Sequence, residues 1–231
     1  GFAGPEGRLE NVVWPHDYLW HQVTVVVNKS GGYWSLYLDG KEVYSYKYDG
    51  ALPNFAYLEL ASAQNEPVAV DELSIWNRSL PLSEIKTINL LDQPFNPYTW
   101  PEKQQKAKLA RYWSFDENEG TSAKDAVASD DMTIDVNQWA IEGRNGSALD
   151  VGQNIDLALT DLPVTDVSLS FWWRNSSSPD EGRPNLILKN GDDIIMSLAP
   201  TIYNTKYNFN GFEDFLIEYN KSLLPNDNKW H

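Results

Sequence analysis

Hydrophobic and polar residues alternate along much of the chain with the period of two that a β-strand requires. In Tyr33–Leu38 the sequence alternates as Tyr-Trp-Ser-Leu-Tyr-Leu and then reaches Asp39-Gly40, a pair typical of two-residue hairpin turns. Residues 41–46 are expected to return as the partner strand. Further strands are predicted at residues 22–27, 56–60, 68–76, 110–115, 147–151, 155–159, 167–174, 186–189, 194–198 and 215–219. The pattern therefore predicts an all-β protein.

One short helix is predicted near residues 82–91, with a serine at its start, Ser83, as the N-cap. Residues 92–109 follow it and are rich first in proline and then in charged residues. Such a composition does not support regular structure, and we expect a linker there.

Composition narrows the range of functions. Hydrophobic residues make up 42% and aromatic residues 13% of the 231 residues, which is enough for a packed core. The formal net charge of −15 should repel nucleic acid and anionic membrane surfaces, and no apolar run reaches the roughly 20 residues of a membrane span. The absence of cysteine excludes thiol catalysis and cysteine-ligated zinc. We therefore expect no nucleic-acid partner and no membrane insertion.

The acidic residues do not form a recognisable catalytic pair. Glycoside hydrolysis needs two carboxylates that flank one sugar bond, whereas Asp71 and Glu72 are neighbours on a predicted strand and should point to opposite faces. Asp116, Glu117 and Glu119 lie in a predicted turn, and none of the three histidines has a triad partner at a recognisable spacing. The protein is not expected to be an enzyme.

Six blocks of sequence resemble laminin G-like modules, which are concanavalin A-like jelly rolls. Residues 112–126 begin Tyr-Trp-Ser-Phe-Asp-Glu-Asn-Glu-Gly-Thr, and together with 143–150 and 167–173 they resemble the first half of such a module. Residues 20–25, 36–43 and 70–85 resemble the second half. The resemblance implies an antiparallel β-sandwich.

The two halves occur in reversed order. Residues 1–91 are interpreted as the C-terminal half of one module, 92–109 as a linker, and 110–231 as the N-terminal half of the next. Trp20-His21 recurs as Trp230-His231 and is taken to mark the same point in successive modules. Half a sandwich leaves long unpaired edges, so the halves are expected to complete one sandwich, within one chain or between neighbouring chains. The alternative is a piece of a tandem array whose missing halves are absent.

The same resemblance implies a structural calcium ion held by Asp116, Asp125 and Asp71. Calcium takes six to eight oxygen ligands, and the acidic turn that begins at Asp116 offers several. The alternative is a solvated turn with strand carboxylates that accept hydrogen bonds from the backbone.

Two further features concern sugars. Trp14, Trp34, Trp100 and Trp139 are expected in or beside loops, where they could serve as stacking platforms, although no ligand-binding residue is identified. Five Asn-X-Ser sequons predict N-glycosylation, at Asn28, Asn77, Asn145, Asn175 and Asn220.

These features favour a non-catalytic extracellular module, structural or adhesive, in a cell-surface or filamentous assembly. Its expected partners are neighbouring copies or adjacent modules, with glycans or cell-surface proteins as further candidates. The first alternative is a carbohydrate-binding, lectin-like module of a larger secreted protein. The second is a hydrolase, for which the required pair of carboxylates is missing.

Overall fold

A computed structural model describes most of the chain. The described residues are 15, 17–47, 56–62, 68–90, 108–140, 142–151, 155–159, 166–175, 184–190, 193–198, 204–207 and 215–218. The strands are β1 His21–Asn28, β2 Tyr33–Leu38, β3 Lys41–Lys47, β4 Tyr57–Ser62, β5 Val68–Trp76, β6 Leu109–Trp113, β7 Ser122–Ala123, β8 Met132–Thr133, β9 Trp139–Ala140, β10 Ala148–Asp150, β11 Ile155–Ala158, β12 Val167–Asn175, β13 Pro184–Asn190, β14 Asp193–Leu198, β15 Asn204–Tyr207 and β16 Phe215–Glu218. One α-helix, α1, spans Leu82–Asn89, and a 3-10 turn spans Val136–Gln138.

The strands of the described residues form two main antiparallel sheets. The large sheet has the order β3-β2-β1-β12-β5-β10-β9, and β6 also pairs with β5. The small sheet has the order β11-β4-β13-β14. Two short ribbons, β15–β16 and β7–β8, complete the described strands. The predicted fold class, an all-β antiparallel sandwich of jelly-roll type with one short helix, is confirmed.

The main hydrophobic core lies between the two sheets. Alternate residues of β1 and β12, such as Val25 and Phe171, point from the large sheet into the same core cluster as Leu58 and Leu157 of the small sheet. Strand β11 shows the expected alternation, because Ile155 and Leu157 are buried while the residues between and after them are exposed. Period-two patterning therefore decides which face of each strand meets the core.

A second, smaller core lies on the outer face of the large sheet. Ile85 and Ile88 of α1 pack with Trp76 of β5 and Tyr37 of β2. This cover buries the Trp76 end of the outer face of β5. Every residue of β5 is buried, including the polar Asp71, Glu72 and Ser74.

Helix α1 starts differently from the prediction. The residue that precedes it, Pro81, is its N-cap, and no side chain caps the helix. The backbone N–H groups of Glu84 and Ile85 instead donate to the carbonyl of Pro81 at 3.0 and 3.2 Å. The predicted serine N-cap is therefore wrong, because Ser83 already lies within the first turn.

Strands from both sides of residues 91–107 alternate in the large sheet. Strand β12 lies between β1 and β5, pairing Val25 with Leu169 on one side and Leu169 with Ile75 on the other. On the edge of β5 that faces away from β12, β10 pairs with residues 69–70 and β6 pairs with residues 73–76. Most of the predicted linker and the second Trp-His pair, Trp230-His231, lie outside the described residues. The division into two half modules stays a prediction.

Candidate functional site

A β-bulge in β5 brings two adjacent carboxylates to the same face of the large sheet. Ser74 of β5 pairs with Ser170 of β12, but Asp71 pairs with Trp172, so β5 contains one extra residue between these points. Glu72 is in this stretch and has a positive φ of 55°. The expectation that Asp71 and Glu72 point to opposite faces is therefore wrong, because the bulge shifts the alternation by one residue.

Both carboxylates contact one turn, at residues 143–147. The Asn145 N–H donates to Asp71 Oδ2 at 3.1 Å, and the Asn145 side-chain amide lies 3.5 Å from Glu72 Oε1. The Arg144 N–H also donates to Asp71 Oδ2, at 2.7 Å, and the Glu72 N–H donates to Asp71 Oδ1 at 2.8 Å. Asp71 therefore fixes the turn to strand β5 through main-chain hydrogen bonds.

Burial dominates the ionisation of Asp71, which is fully inaccessible to solvent. Desolvation raises the pKa of its carboxyl to about 8, and the neighbouring charge of Glu72 adds to this rise. The main-chain N–H donors lower the pKa but do not offset the loss of solvent. Burial therefore favours the protonated form of the Asp71 carboxyl.

A buried tyrosine shares the acidic site. Tyr112 of β6 donates its hydroxyl to Glu72 Oε2. Burial, followed by the charge of Glu72, raises the pKa of the Tyr112 phenol far above its ordinary value, so the hydroxyl stays protonated and remains a donor. Glu72 is only 4% exposed, so this hydrogen bond lies in the protein interior.

Asp116 reaches the same turn from the loop that follows β6. The Ser147 N–H donates to Asp116 Oδ1 at 3.2 Å, and the Ser147 hydroxyl donates to the carbonyl of Phe115 at 2.8 Å. Gly146 has a φ of +58°, and a Cβ there would collide with the Asp116 carboxylate. We call Asp71, Glu72 and Asp116, with the turn at 143–147, the carboxylate cluster.

Asp125 does not belong to the carboxylate cluster. Its two oxygens accept hydrogen bonds from four backbone N–H groups, those of Tyr112, Val127, Ala128 and Asp130, at 3.0 to 3.3 Å. The Arg111 guanidinium lies 3.6 Å away. Asp125 therefore holds the turn at 126–130 against β6.

The calcium prediction named Asp71, Asp116 and Asp125, and the structure brings only the first two together. In the part of the chain that the structure describes, no group of three acidic or histidine side chains is spaced to hold a metal ion. The predicted trio does not fit a single calcium site. The structural calcium ion itself stays a prediction.

Two arginine–tryptophan stacks lie beside the carboxylate cluster on the outer face of the large sheet. The Arg144 guanidinium is 4.7 Å from the ring centre of Trp172, and that of Arg174 is 4.9 Å from Trp20. Arg174 also donates to the carbonyl of Glu142 at 3.1 Å. Sequence reasoning missed these pairs because each joins residues that are distant in sequence or lie in a loop without a pattern.

The four tryptophans expected in or beside loops have different positions. Trp34 lies within β2, beside the turn at 29–32, and is 3% exposed, so it packs in the core and offers no stacking surface. Trp139 is half-buried, and its indole N–H donates to the carbonyl of Gly120 at 2.9 Å. Trp14 and Trp100 lie outside the described residues.

Three of the five sequon asparagines have described side chains, and all three are partly buried. The Asn28 amide donates to the Tyr33 hydroxyl at 3.1 Å, and its oxygen accepts from Ser30. Asn77 donates its backbone N–H to the carbonyl of Lys108, and Asn145 contacts the carboxylate cluster. The side chain of Asn175 and all of Asn220 lie outside the description. Glycosylation at these positions stays a prediction.

Comparison with known families agrees with this architecture. Residues 15–86, from just before β1 into α1, match the family model of the concanavalin A-like lectin/glucanases superfamily. No curated protein and no solved structure matches the chain. None of the helices in the described ranges is long and apolar enough to cross a membrane. The predicted family resemblance is thus confirmed by residues 15–86, which carry the signature of the concanavalin A-like lectin/glucanase superfamily.

Proposed function

We propose that this lectin/glucanase-like module is a non-catalytic extracellular building block, structural or adhesive, whose sandwich is completed by strands from two chain segments. The observation that carries the proposal is the position of β12 between β1 and β5. Without β12, both β1 and β5 would expose unpaired backbone edges, which favour pairing with another chain.

The surroundings of the acidic residues support a non-catalytic role. A glycosidase needs two carboxylates that reach a sugar from opposite sides. Asp71 and Glu72 are 0% and 4% exposed, and the turn at 143–147 covers them. Asp71 accepts a backbone N–H and Glu72 accepts the Tyr112 hydroxyl, so both carboxylates have structural partners. A sugar has no access to either carboxylate.

The pairing of the large sheet also supports assembly with neighbouring copies or adjacent modules. The β12 ladder with β1 joins seven residue pairs, from His21–Trp173 to Val27–Val167. A neighbouring copy could supply an identical β12, and the same pairs would then form between chains. Exchange of β12 between copies joins them through the same residue pairs and requires no additional interface. An extracellular location is consistent with the five sequons and the high negative charge.

The proposal is tested with the full chain by native mass spectrometry over a concentration series. We expect dimers and larger species in buffer without saccharide, and no tight binding on a glycan array. A chain that stays monomeric at all concentrations and binds one saccharide class tightly would contradict the structural role.

The second candidate is carbohydrate binding, and one observation favours it. Trp20 is partly exposed beneath Arg174, and the neighbouring Tyr18 is 49% exposed, so aromatic surface is available at this end of the sheet. Under this alternative, Trp20→Ala abolishes saccharide binding, whereas the matched Trp139→Ala does not. If the protein binds no saccharide on a glycan array, carbohydrate binding is excluded as its function.

A further inference from the structure

His21, the first residue of β1, lies between two carboxylates. Its Nδ1 is 2.8 Å from Asp39 Oδ2, and its Nε2 is 2.9 Å from Asp17 Oδ1. A carboxylate can only accept hydrogen bonds, so both contacts are made at once only when both ring nitrogens carry a proton. The geometry therefore selects the charged imidazolium form.

The two carboxylates belong to different parts of the structure. Asp39 lies in the β2–β3 turn, with a φ of 49°, and its Oδ1 accepts the Gln22 N–H at 2.9 Å. Its own N–H donates to the carbonyl of Gln22, also at 2.9 Å, so Asp39 is fixed to β1 from both sides. Asp17 precedes the strand and accepts the Leu19 N–H at 3.0 Å. His21 thus connects residues 17–20 to the hairpin turn.

The surroundings of His21 contain few other groups. Its ring centre is 6.1 Å from that of Trp173 in β12, in a tilted arrangement. Asp17 and Asp39 are the charged groups that contact the imidazole in the described structure, while the nearby Arg174 stacks on Trp20. The residues that the contacts to His21 hold in place, Tyr18 and Leu19, are 49% and 56% exposed.

We propose that His21 is a protonation-dependent clamp that holds residues 17–20 against the β2–β3 turn and opens when the imidazolium loses its proton. The neutral ring keeps one N–H and presents a lone pair to the other carboxylate, so one of the two contacts is lost. The stack of Trp20 on Arg174 does not involve the imidazole and remains after opening. The clamp does not depend on the proposed function.

The direction of the pH effect follows from the electrostatics. Burial alone would lower the pKa of His21, but the hydrogen bonds to Asp39 and then Asp17 outweigh it and raise the pKa above 6.5. A group whose pKa is higher in the folded state stabilises the fold below its unfolded pKa, and the stabilisation disappears as pH rises through the folded pKa. The clamp is therefore closed in mildly acidic solution and open in alkaline solution.

The clamp is tested by following the His21 ring nitrogens and the amides of residues 18–20 by NMR during a pH titration. We expect a midpoint above 6.5, both ring nitrogens protonated below it, and greater backbone mobility of residues 18–20 above it. Asp17→Asn and Asp39→Asn should each lower the midpoint, since each removes one carboxylate. The matched control, Asp156→Asn on β11, should leave the midpoint unchanged.

A second variant separates the clamp from general folding effects. His21→Gln should keep the dispersed spectrum of the sandwich while residues 18–20 are mobile at every pH. The proposal is overturned by a His21 midpoint at or below 6.5, by an unchanged midpoint in Asp17→Asn, or by equal order of residues 18–20 on both sides of the midpoint.

Discussion

Replacing the buried carboxyl group Asp71 by its neutral isostere should reverse the order of stability between acid and alkaline pH. In acid the carboxyl is neutral, and Asp71→Asn loses only hydrogen bonding. Both Asp71 oxygens accept backbone N–H groups, at 2.7 and 3.1 Å on one oxygen and 2.8 Å on the other. The Asn side chain must turn its NH₂ toward one of these donors, which costs about 1–3 kcal/mol.

In alkaline solution the wild type loses folding stability, because the buried Asp71 carboxyl must then ionise. Its Asp71 pKa of about 8 in the folded state compares with 3.8 as the ordinary value, so the folded state binds more protons over this interval. Wild-type stability therefore falls as pH rises from about 4 to about 8. A difference of about 4 pKa units corresponds to roughly 6 kcal/mol, as an upper limit, because water entry and relaxation reduce it. Asp71→Asn escapes this loss entirely.

The assay is urea unfolding of both proteins in calcium-free buffer from pH 4 to pH 9. Asp71→Asn should be less stable at pH 4 and more stable at pH 9. Asp156→Asn, which removes an exposed carboxylate, is the control and should show no crossing. Parallel stability curves for Asp71→Asn and wild type would refute the conclusion that burial raises the pKa of Asp71.

Three further predictions concern the carboxylate cluster. Gly146→Ala should destabilise the fold by about 1–3 kcal/mol in urea, because a Cβ meets the Asp116 carboxylate and φ is positive. Gly120→Ala also places an alanine at positive φ, +82°, but with nothing within 4 Å, so an equal loss there would show that the collision is unimportant. Tyr112→Phe should cost about 1–3 kcal/mol by removing the buried hydroxyl that donates to Glu72 Oε2, and unchanged stability would contradict that hydrogen bond. If the calcium prediction holds, excess chelator lowers the wild-type melting midpoint, and an unchanged midpoint excludes a structural calcium.

Most strands could be predicted because their signals are local. Val68–Trp76 and Tyr33–Leu38 have the predicted limits, and Asp39-Gly40 makes the predicted turn with positive φ at both residues. The two-residue strands β7, β8 and β9 were not predicted, since two residues carry no periodicity. Their existence depends on where the rest of the sandwich places them.

The carboxylate cluster was only partly predictable for the same reason. Asp71 and Asp116 stood out as acids in strand and turn, but their common target is the turn at 143–147. The bulge at Glu72 follows from the register of β5 against β12, which lies about a hundred residues further along the chain. No local pattern encodes a bulge set by a distant partner strand. Asp125 was grouped with them from the resemblance, although its oxygens serve a separate turn.

The central claim is that β12 lies between β1 and β5, so that segments on both sides of residues 91–107 build one sheet. Thr24 of β1 and Ser170 of β12 face each other, with their hydroxyl oxygens 2.9 Å apart. Directly opposed residues of antiparallel strands have Cα atoms about 4.5–5.5 Å apart, a range that suits a disulfide. The natural chain has no cysteine, so an introduced pair can react only with itself.

The most direct test is therefore Thr24→Cys with Ser170→Cys, oxidised mildly and mapped by peptide mass spectrometry. We predict a disulfide between positions 24 and 170, and the mass of the unreduced protein tells whether it joins one chain or two. Ser35→Cys with Ser45→Cys is the hairpin control that should also form, because those hydroxyls are 2.9 Å apart. Thr24→Cys with Ser74→Cys should not form, since β12 separates the two strands. Free thiols at positions 24 and 170, with the hairpin pair oxidised, would contradict the shared sheet.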